Sequence, residues 1–158
     1  MPIPRRAAPT RDPSALPTGR NLYGFDPMRV PTPAAWEIGK GVLDQWWNSQ
    51  IESGRSPKNL VFSLWAGETM RHQGVMEAQV FAAMGVQPIW DDRGRIEDLR
   101  LIPAEEMTRP RLNVTCTVTG SYRDQFPHAI AWINRAVDMV AQADSAETGG
   151  DGAENFVR

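Results

Sequence analysis

The chain is poor in the residues that support several common kinds of function. Its 158 residues include one cysteine and two histidines, so neither an internal disulfide nor a paired-cysteine metal site can form. The net charge is -2, so the chain lacks the excess of positive charge that binds nucleic-acid phosphates. No apolar run approaches the roughly 20 residues that span a bilayer, and the N-terminus lacks the apolar core of a secretory signal. We therefore expect a cytoplasmic protein with no nucleic-acid partner and no membrane span.

Several catalytic signatures are also missing. The sequence contains no P-loop, dinucleotide fingerprint or nucleophile elbow, so it has no recognisable ATP site of its own. The single cysteine, Cys116, sits in the alternating run Asn113–Thr119, which is typical of a strand. We interpret it as a buried, inert thiol rather than a nucleophile.

Proline is concentrated at one end of the chain. Residues 1–33 contain eight of the 13 prolines, which rules out a long helix or a regular strand ladder there. We predict an extended, Pro/Arg-rich arm over residues 1–32. The 41% hydrophobic content suffices for one core, which we place at residues 33–143. The glycine-containing residues 144–158 are predicted to be a flexible tail.

Hydrophobic periodicity supplies the elements of the central domain. Strands and helices alternate, which predicts an α/β fold with a three-layer, mostly parallel sheet flanked by helices. The predicted helices are Pro33–Ser53, Gln73–Met84, Pro103–Met107 and Pro127–Ala143. The predicted strands are Asn59–Trp65, Val86–Trp90, Leu99–Ile102 and Asn113–Thr119, with a polar loop at Gly120–Gln125.

Ionisable residues follow the first predicted strand. In open α/β sheets, ligands bind outside the carboxyl ends of the strands, and Glu68, Arg71 and His72 would stand there. Glu68 and His72 are four residues apart, so on a helix they could share a face and act as base, proton shuttle or divalent-metal ligands. The alternative is that Glu68 and Thr69 cap the helix and His72 is solvated.

Glu77 interrupts a helix that is apolar on nearly every side. Burial of a lone charge is expensive, so this carboxylate needs either a partner or a function. The structural alternative is an internal ion pair with Arg71, Arg95 or Arg123.

Other candidates follow later strands. Asp91, Arg123 and Asp124 could line the same crevice as Glu68, although turn chemistry explains Asp91 equally well. Most of the six tryptophans suit a core. Trp65 and Trp90, at strand ends, could instead stack on a flat ligand.

Several blocks, taken in order, resemble the CobN/magnesium-chelatase large-subunit family, whose members hold a tetrapyrrole during metal insertion. The blocks are Leu16–Pro27, Leu64-Trp65 with Glu68–His72, Gly74 with Glu77–Gln79, Gly85–Asp91, Arg109–Arg111 and Arg123-Asp124. The resemblance covers residues 12–158. The segment ending in His72 is similar to the cobaltochelatase branch more than to the magnesium branch. Family members are far longer, so we interpret the chain as an internal fragment.

The resemblance implies ATP-dependent insertion of Co2+ into hydrogenobyrinic acid a,c-diamide in cobalamin biosynthesis. It implies as partners the remainder of the large subunit, the tetrapyrrole or corrin substrate, and AAA+ ATPase subunits that carry ATP and Mg2+. His72 would be base or transient metal ligand, with Glu68 and Glu77 on the metal path. Substrate-binding residues would be Arg20, Trp65, Arg71 and Arg123, with Asp91 and Asp124 supporting the set.

Two alternatives remain open. One is a magnesium or other metal chelatase acting on a porphyrin. The other is a non-catalytic α/β scaffold domain, because a flat macrocycle must be enclosed between domains and this chain supplies one wall. We expect no chelatase activity from the 158 residues alone.

Overall fold

The computed structural model describes residues 25–147, with side chains as far as Asp144. The helices are α1 (Pro33–Glu52), α2 (Ala66–His72), α3 (Val75–Met84), α4 (Gly120–Gln125) and α5 (Pro127–Glu147). The strands are β1 (Asn59–Leu64), β2 (Val86–Trp90), β3 (Ile96–Leu101) and β4 (Asn113–Val118). Single 3₁₀ turns occur at Pro27–Arg29 and Ala104–Glu106. Among these residues, no helix combines the length and apolarity needed to cross a bilayer.

The strands form two separate pairs. β1 and β4 pair in parallel, from Asn59 beside Asn113 to Leu64 beside Val118. β2 and β3 pair antiparallel, because the turn after Trp90 folds the chain back on itself. The predicted α/β class, with a parallel sheet flanked by helices, is confirmed. The strands do not all join one sheet, however: β2 and β3 form a separate pair, which is antiparallel because the turn between them is too short for a parallel crossover.

Helix α3 lies at the centre of the core. Its residues Ala78, Val80, Phe81 and Ala83 are fully buried, and it contacts α1, α5 and strands from both pairs. Its contact with α1 is especially close, since a Cβ added at Gly39 would lie 2.7 Å from the Cβ of Ala78. The nearly uniform apolar surface of α3 in the sequence therefore reflects burial on all sides.

Helix α1 begins where the sequence indicates. The Oγ1 of Thr32 accepts the N–H of Ala35 at 3.2 Å, and Pro33 occupies the first turn, where it needs no N–H partner. Its buried face, which includes Trp36 and Leu43, packs towards α3.

Two short helices lie where no helix is predicted. The predicted helix Gln73–Met84 begins at Val75 as α3, and α2 is a separate helix before it, because Gln73 and Gly74 adopt left-handed φ angles of 57° and 94°. The expected polar loop at residues 120–125 is helix α4, whose first turn is capped by the Oγ1 of Thr119. This second correction gives Arg123 and Asp124 a helical scaffold.

The end of the predicted arm packs on the domain. Phe25 contacts Phe126 edge to face, with ring centroids 5.8 Å apart, and Asp26 pairs with Arg95 at 3.0 Å. The Nε1–H of Trp90 donates to the carbonyl of Pro31 at 2.8 Å. The predictions for residues 1–24, including Arg20, and for residues 148–158 lie outside the described residues.

Candidate functional site

Two short helices meet at one edge of the parallel strand pair. α2 follows the carboxyl end of β1, α4 follows the carboxyl end of β4, and the two helices are in contact. Their ionisable side chains therefore belong to the same edge of the molecule. α2 carries Glu68, Arg71 and His72, and α4 carries Arg123 and Asp124. This edge is where parallel strands place ligands.

The charged side chains at this edge are exposed and paired locally. Glu68 forms an ion pair with Arg71 one helical turn away, and it lies in the first turn of α2, where the helix dipole favours a carboxylate. Arg123 lies 3.9 Å from Asp124, and both side chains are about three-quarters exposed. These pairs are weak in water, so a ligand could displace them at small cost.

His72 has a specific structural partner. Its Nδ1 accepts the N–H of Val75 at 3.0 Å, which satisfies an otherwise unpaired donor at the N-terminus of α3. An imidazole that accepts through Nδ1 carries its proton on Nε2 when it is neutral. His72 therefore presents a hydrogen-bond donor in this arrangement, and it is half-buried rather than freely solvated.

Glu77 is completely enclosed and accepts two hydroxyl hydrogen bonds. Its Oε1 accepts from the Oγ1 of Thr69 at 2.6 Å and from the hydroxyl of Tyr122 at 2.8 Å. Its Oε2 has no hydrogen-bond partner among the described residues. The alternative of an ion pair between Glu77 and an arginine is not found among the described residues, where Arg71 pairs with Glu68, Arg95 with Asp26 and Arg123 with Asp124.

This cluster ties the two edge helices to the core. Thr69 belongs to α2, Tyr122 to α4 and Glu77 to α3. Thr69 and Tyr122 cannot be recognised from the sequence as partners of Glu77, because they lie eight and 45 residues away from it along the chain. The signal in the sequence for such partners was Glu77 itself, since an enclosed carboxylate requires nearby hydrogen-bond donors.

The surroundings of Glu77 keep neighbouring acids protonated. Burial raises the pKa of Tyr122 far above its ordinary range, and the adjacent Glu77 raises it further. Burial, followed by Glu77, raises the pKa of the Cys116 thiol to about 11. At neutral pH, Tyr122 is therefore a hydrogen-bond donor and Cys116 is a thiol. A thiol is less reactive than a thiolate, as the prediction of an inert cysteine requires, but Cys116 is half-buried and not fully buried as predicted.

Exposed apolar side chains also belong to this edge. Trp65 is 58% exposed, and it is the one exposed residue among the six tryptophans, all of which lie within the described residues. Met70 and Val118, also exposed, belong to the same edge. We call Trp65, Met70 and Val118 the edge patch. Trp90, by contrast, packs on Trp36 at 6.5 Å and is held by Pro31.

Asp91 has a structural explanation. It begins the β2–β3 turn, and its Oδ1 accepts the N–H groups of Arg93 and Arg95 at 2.9 and 2.8 Å. The hydrogen bond from Arg95 is the main cause that lowers its pKa. Because β2 belongs to the antiparallel pair, Asp91 does not follow a strand of the parallel pair whose carboxyl end carries Glu68. Among residues 25–144, no three His, Cys, Asp or Glu side chains are grouped to hold a metal ion.

Arg109, in the Arg-Pro-Arg block, is buried near the C-terminal end of α3. It donates to the carbonyl of Ala82 at 2.7 Å and lies 3.4 Å from Asp44. Burial lowers its pKa, although Asp44 opposes this shift. The side chain borders a cavity of about 150 Å³ that Lys40 and Thr108 also line. Its contacts join the loop before β4 to α1 and α3.

Comparisons with known proteins point to one family. A family model described as CobN/Magnesium Chelatase matches residues 4–158. The aerobic cobaltochelatase subunit CobN of Pseudomonas aeruginosa is 38% identical over 84% of this chain and 11% of its own length. The chloroplastic magnesium-chelatase subunit ChlH of Oryza sativa subsp. indica is 36% identical over 88% of this chain and 10% of its own length.

A solved structure gives the same result. The catalytic subunit of cobaltochelatase from Mycobacterium tuberculosis matches with a TM-score of 0.68 and 35% identity, over 78% of this chain and 12% of that protein. The chain thus spans about a tenth of the length of the curated relatives that it matches.

Proposed function

Because the chain belongs to the CobN/Magnesium Chelatase family, we propose that it forms one wall of the tetrapyrrole site in a large chelatase subunit. The reaction that we propose is ATP-dependent insertion of Co2+ into hydrogenobyrinic acid a,c-diamide. ATP and Mg2+ would be held by AAA+ partner subunits, and the remainder of a large subunit would complete the enclosure. The edge patch beside the ionisable residues of α2 and α4 is the observation that carries this proposal.

The edge patch suits a flat macrocycle. An exposed indole can stack on an extended π-system, and neighbouring aliphatic and thioether groups add contact area. Arg71 and Arg123 can hydrogen-bond carboxylate or amide groups at the rim of such a ligand. Arg20 is a further candidate for the same task. Asp124 would orient Arg123, with which it is already paired.

Glu68 and His72 are the residues that we propose for the proton and metal steps. Metal insertion requires removal of protons from pyrrolic nitrogens and transfer of a partly dehydrated cation. Glu68 can accept a proton or bind a cation once Arg71 is displaced. For His72 to accept a proton or a metal at Nε2, its own proton must first be on Nδ1, and the bond to Val75 would then be lost. Proton transfer at His72 is therefore linked to the start of α3.

Glu77 has a different part in this proposal. Its carboxylate has no exposed surface, so it acts through Thr69 and Tyr122, which position α2 and α4. A direct role as transient metal ligand would require this cluster to open. In a full-length relative, alanine at the positions of His72 or Glu77 should reduce metal insertion. Unchanged insertion by the folded variants would contradict these roles.

Cobalt is the metal that we favour, on the resemblance of the segment ending in His72. The alternative is a magnesium chelatase acting on a porphyrin, because relatives with both names match at 34–38% identity. The two possibilities differ in the ligand that the edge patch should bind.

Tryptophan fluorescence tests the proposal. Hydrogenobyrinic acid a,c-diamide and protoporphyrin IX are titrated separately, and the emission is corrected for absorption with free tryptophan amide. We expect the corrin precursor to quench the emission of Trp65, so Trp65→Phe should remove most of the saturable quenching. Trp132→Phe, at a half-buried tryptophan on α5, should leave the saturable quenching unchanged.

Saturable quenching by the porphyrin alone would favour the magnesium alternative. Absence of saturable quenching, or quenching unchanged in Trp65→Phe, would refute the edge patch as the binding surface.

A further inference from the structure

The parallel strand pair has one covered face and one open face. Phe62 and Leu64 of β1 point into the core and are buried. The alternate residues Asn59, Val61 and Ser63 point the other way, and Val61 is 70% exposed. We call the six residues on this side the open face: Asn59, Val61 and Ser63 of β1 with Asn113, Thr115 and Thr117 of β4.

The open face carries no charge. Its side chains are aliphatic, hydroxyl or amide groups, and four of the five polar ones are paired across the strands. Asn113 donates to Asn59 at 2.9 Å, and the hydroxyls of Ser63 and Thr117 are 3.0 Å apart. Polar groups that bond to each other in this way leave Val61 and Thr115 as a surface suited to packing.

The second strand pair shows what a solvent-facing surface looks like in the same molecule. The exposed residues within β3 are Glu97, Asp98 and Arg100, and two of them form ion pairs, with Arg135 and Glu106. Charged side chains are the usual protection of exposed strands. The contrast between β3 and the open face therefore indicates that the open face is covered by protein.

The topology supports this conclusion. Parallel sheets occur almost only with both faces covered, and among residues 25–147 β1 and β4 pair with no other strand. In the M. tuberculosis cobaltochelatase subunit, the matching part is 12% of the chain. Most of that protein is thus available to pack against the corresponding strands.

We infer that the open face is the docking surface for the remainder of a family-length large chelatase subunit, which covers it with an uncharged, apolar surface. The inference rests on family membership and on the two strand pairs, and not on the proposed reaction. It can therefore fail while the tetrapyrrole proposal stands, and the reverse is also true.

A chimera tests this assignment. The matching segment of the M. tuberculosis catalytic subunit is replaced by the aligned residues of this chain, and thermal unfolding of the chimera and of the isolated chain is followed. Val61→Lys and Thr115→Lys each place a charge on the open face. Glu97→Lys, on the charged strand β3, is the matched control.

We expect the two open-face variants to lower the unfolding midpoint of the chimera by several degrees, because the new charge would be buried. They should shift the isolated chain by about 1 °C or less, as exposed substitutions do. Equal small shifts in both proteins would overturn the inference. So would an equal effect of Glu97→Lys in the chimera.

Two other occupants give distinct results. If residues of the isolated chain itself cover the open face, Val61→Lys will destabilise the isolated chain as strongly as the chimera. If a second copy covers it, the isolated chain will sediment as a dimer that Val61→Lys dissociates. Either result would overturn the inference, which expects a monomer with an unaffected midpoint.

Discussion

Replacement of Tyr122 by phenylalanine should destabilise the protein by removing one hydrogen bond from Glu77. Tyr122 is fully buried, and its hydroxyl donates to Oε1 at 2.8 Å. The ring would keep its packing, so the change isolates the hydroxyl. Hydrogen bonds to charged groups contribute about 1.5–3 kcal/mol. The other donor, Thr69, remains, so we expect a loss of about 2 kcal/mol in the free energy of unfolding.

Equilibrium unfolding in urea measures this loss. The midpoint should fall while the slope with denaturant concentration stays constant, because the surface exposed on unfolding is unchanged. Ser121→Ala, at the exposed neighbour on α4, is the matched control and should stay within about 0.5 kcal/mol of the parent.

A double-mutant cycle identifies the partner. If Tyr122 stabilises the fold through Glu77, the effects of Tyr122→Phe and Glu77→Gln should be coupled by about 0.5–3 kcal/mol. Strictly additive effects, or a Tyr122→Phe variant as stable as the parent, would refute the role that we assign to this hydrogen bond.

Two further predictions concern the thiol and the helix contact. The rate of alkylation of Cys116 should keep rising with pH to about 11, because the thiolate is the nucleophile and only a small fraction of the thiol is ionised at lower pH. A rate that levels off near pH 9, as for an ordinary thiol, would show that burial does not raise the pKa of Cys116. Gly39→Ala should lower the free energy of unfolding by about 1–3 kcal/mol, since its Cβ would meet Ala78 at 2.7 Å. Gly41 lies on the same helix, and a Cβ added there would have no atom within 4 Å, so Gly41→Ala should instead raise the free energy of unfolding by up to about 1 kcal/mol. Equal effects of the two substitutions in thermal unfolding would contradict the close contact between α1 and α3.

Local signals in the sequence located most of the elements. Thr32 and Pro33 defined the start of α1, and β2 was predicted with its observed bounds, Val86–Trp90. Helix α2 is not predicted as a separate element, because its end depends on a left-handed Gln73, a conformation that few residues other than glycine adopt. The pairing of β1 with β4 follows from the packing of both strands on the helices, which local periodicity does not encode.

In the candidate site, too, the sequence predicts local features but not the contacts between distant residues. The position of Glu77 in an apolar helix predicted a buried carboxylate that needs partners, and the structure contains them. Their identity could not be derived, because hydroxyl donors are common in sequences and Tyr122 is 45 residues distant. The position of Trp65 at a strand end makes it a candidate for stacking on a ligand, and its side chain is exposed in the structure. The roles of Glu68, His72 and Glu77 in chemistry stay predictions.

The two hydroxyl bonds to a single oxygen of Glu77 also constrain how this segment can evolve. An apolar residue at position 77 would leave the hydroxyls of Thr69 and Tyr122 without an acceptor, whereas loss of both hydroxyls would leave the carboxylate without a donor. Intermediates with only one partner changed are penalised in either direction. These three positions should therefore be inherited as a unit, and substitutions at any one of them in related proteins should be accompanied by changes at the others.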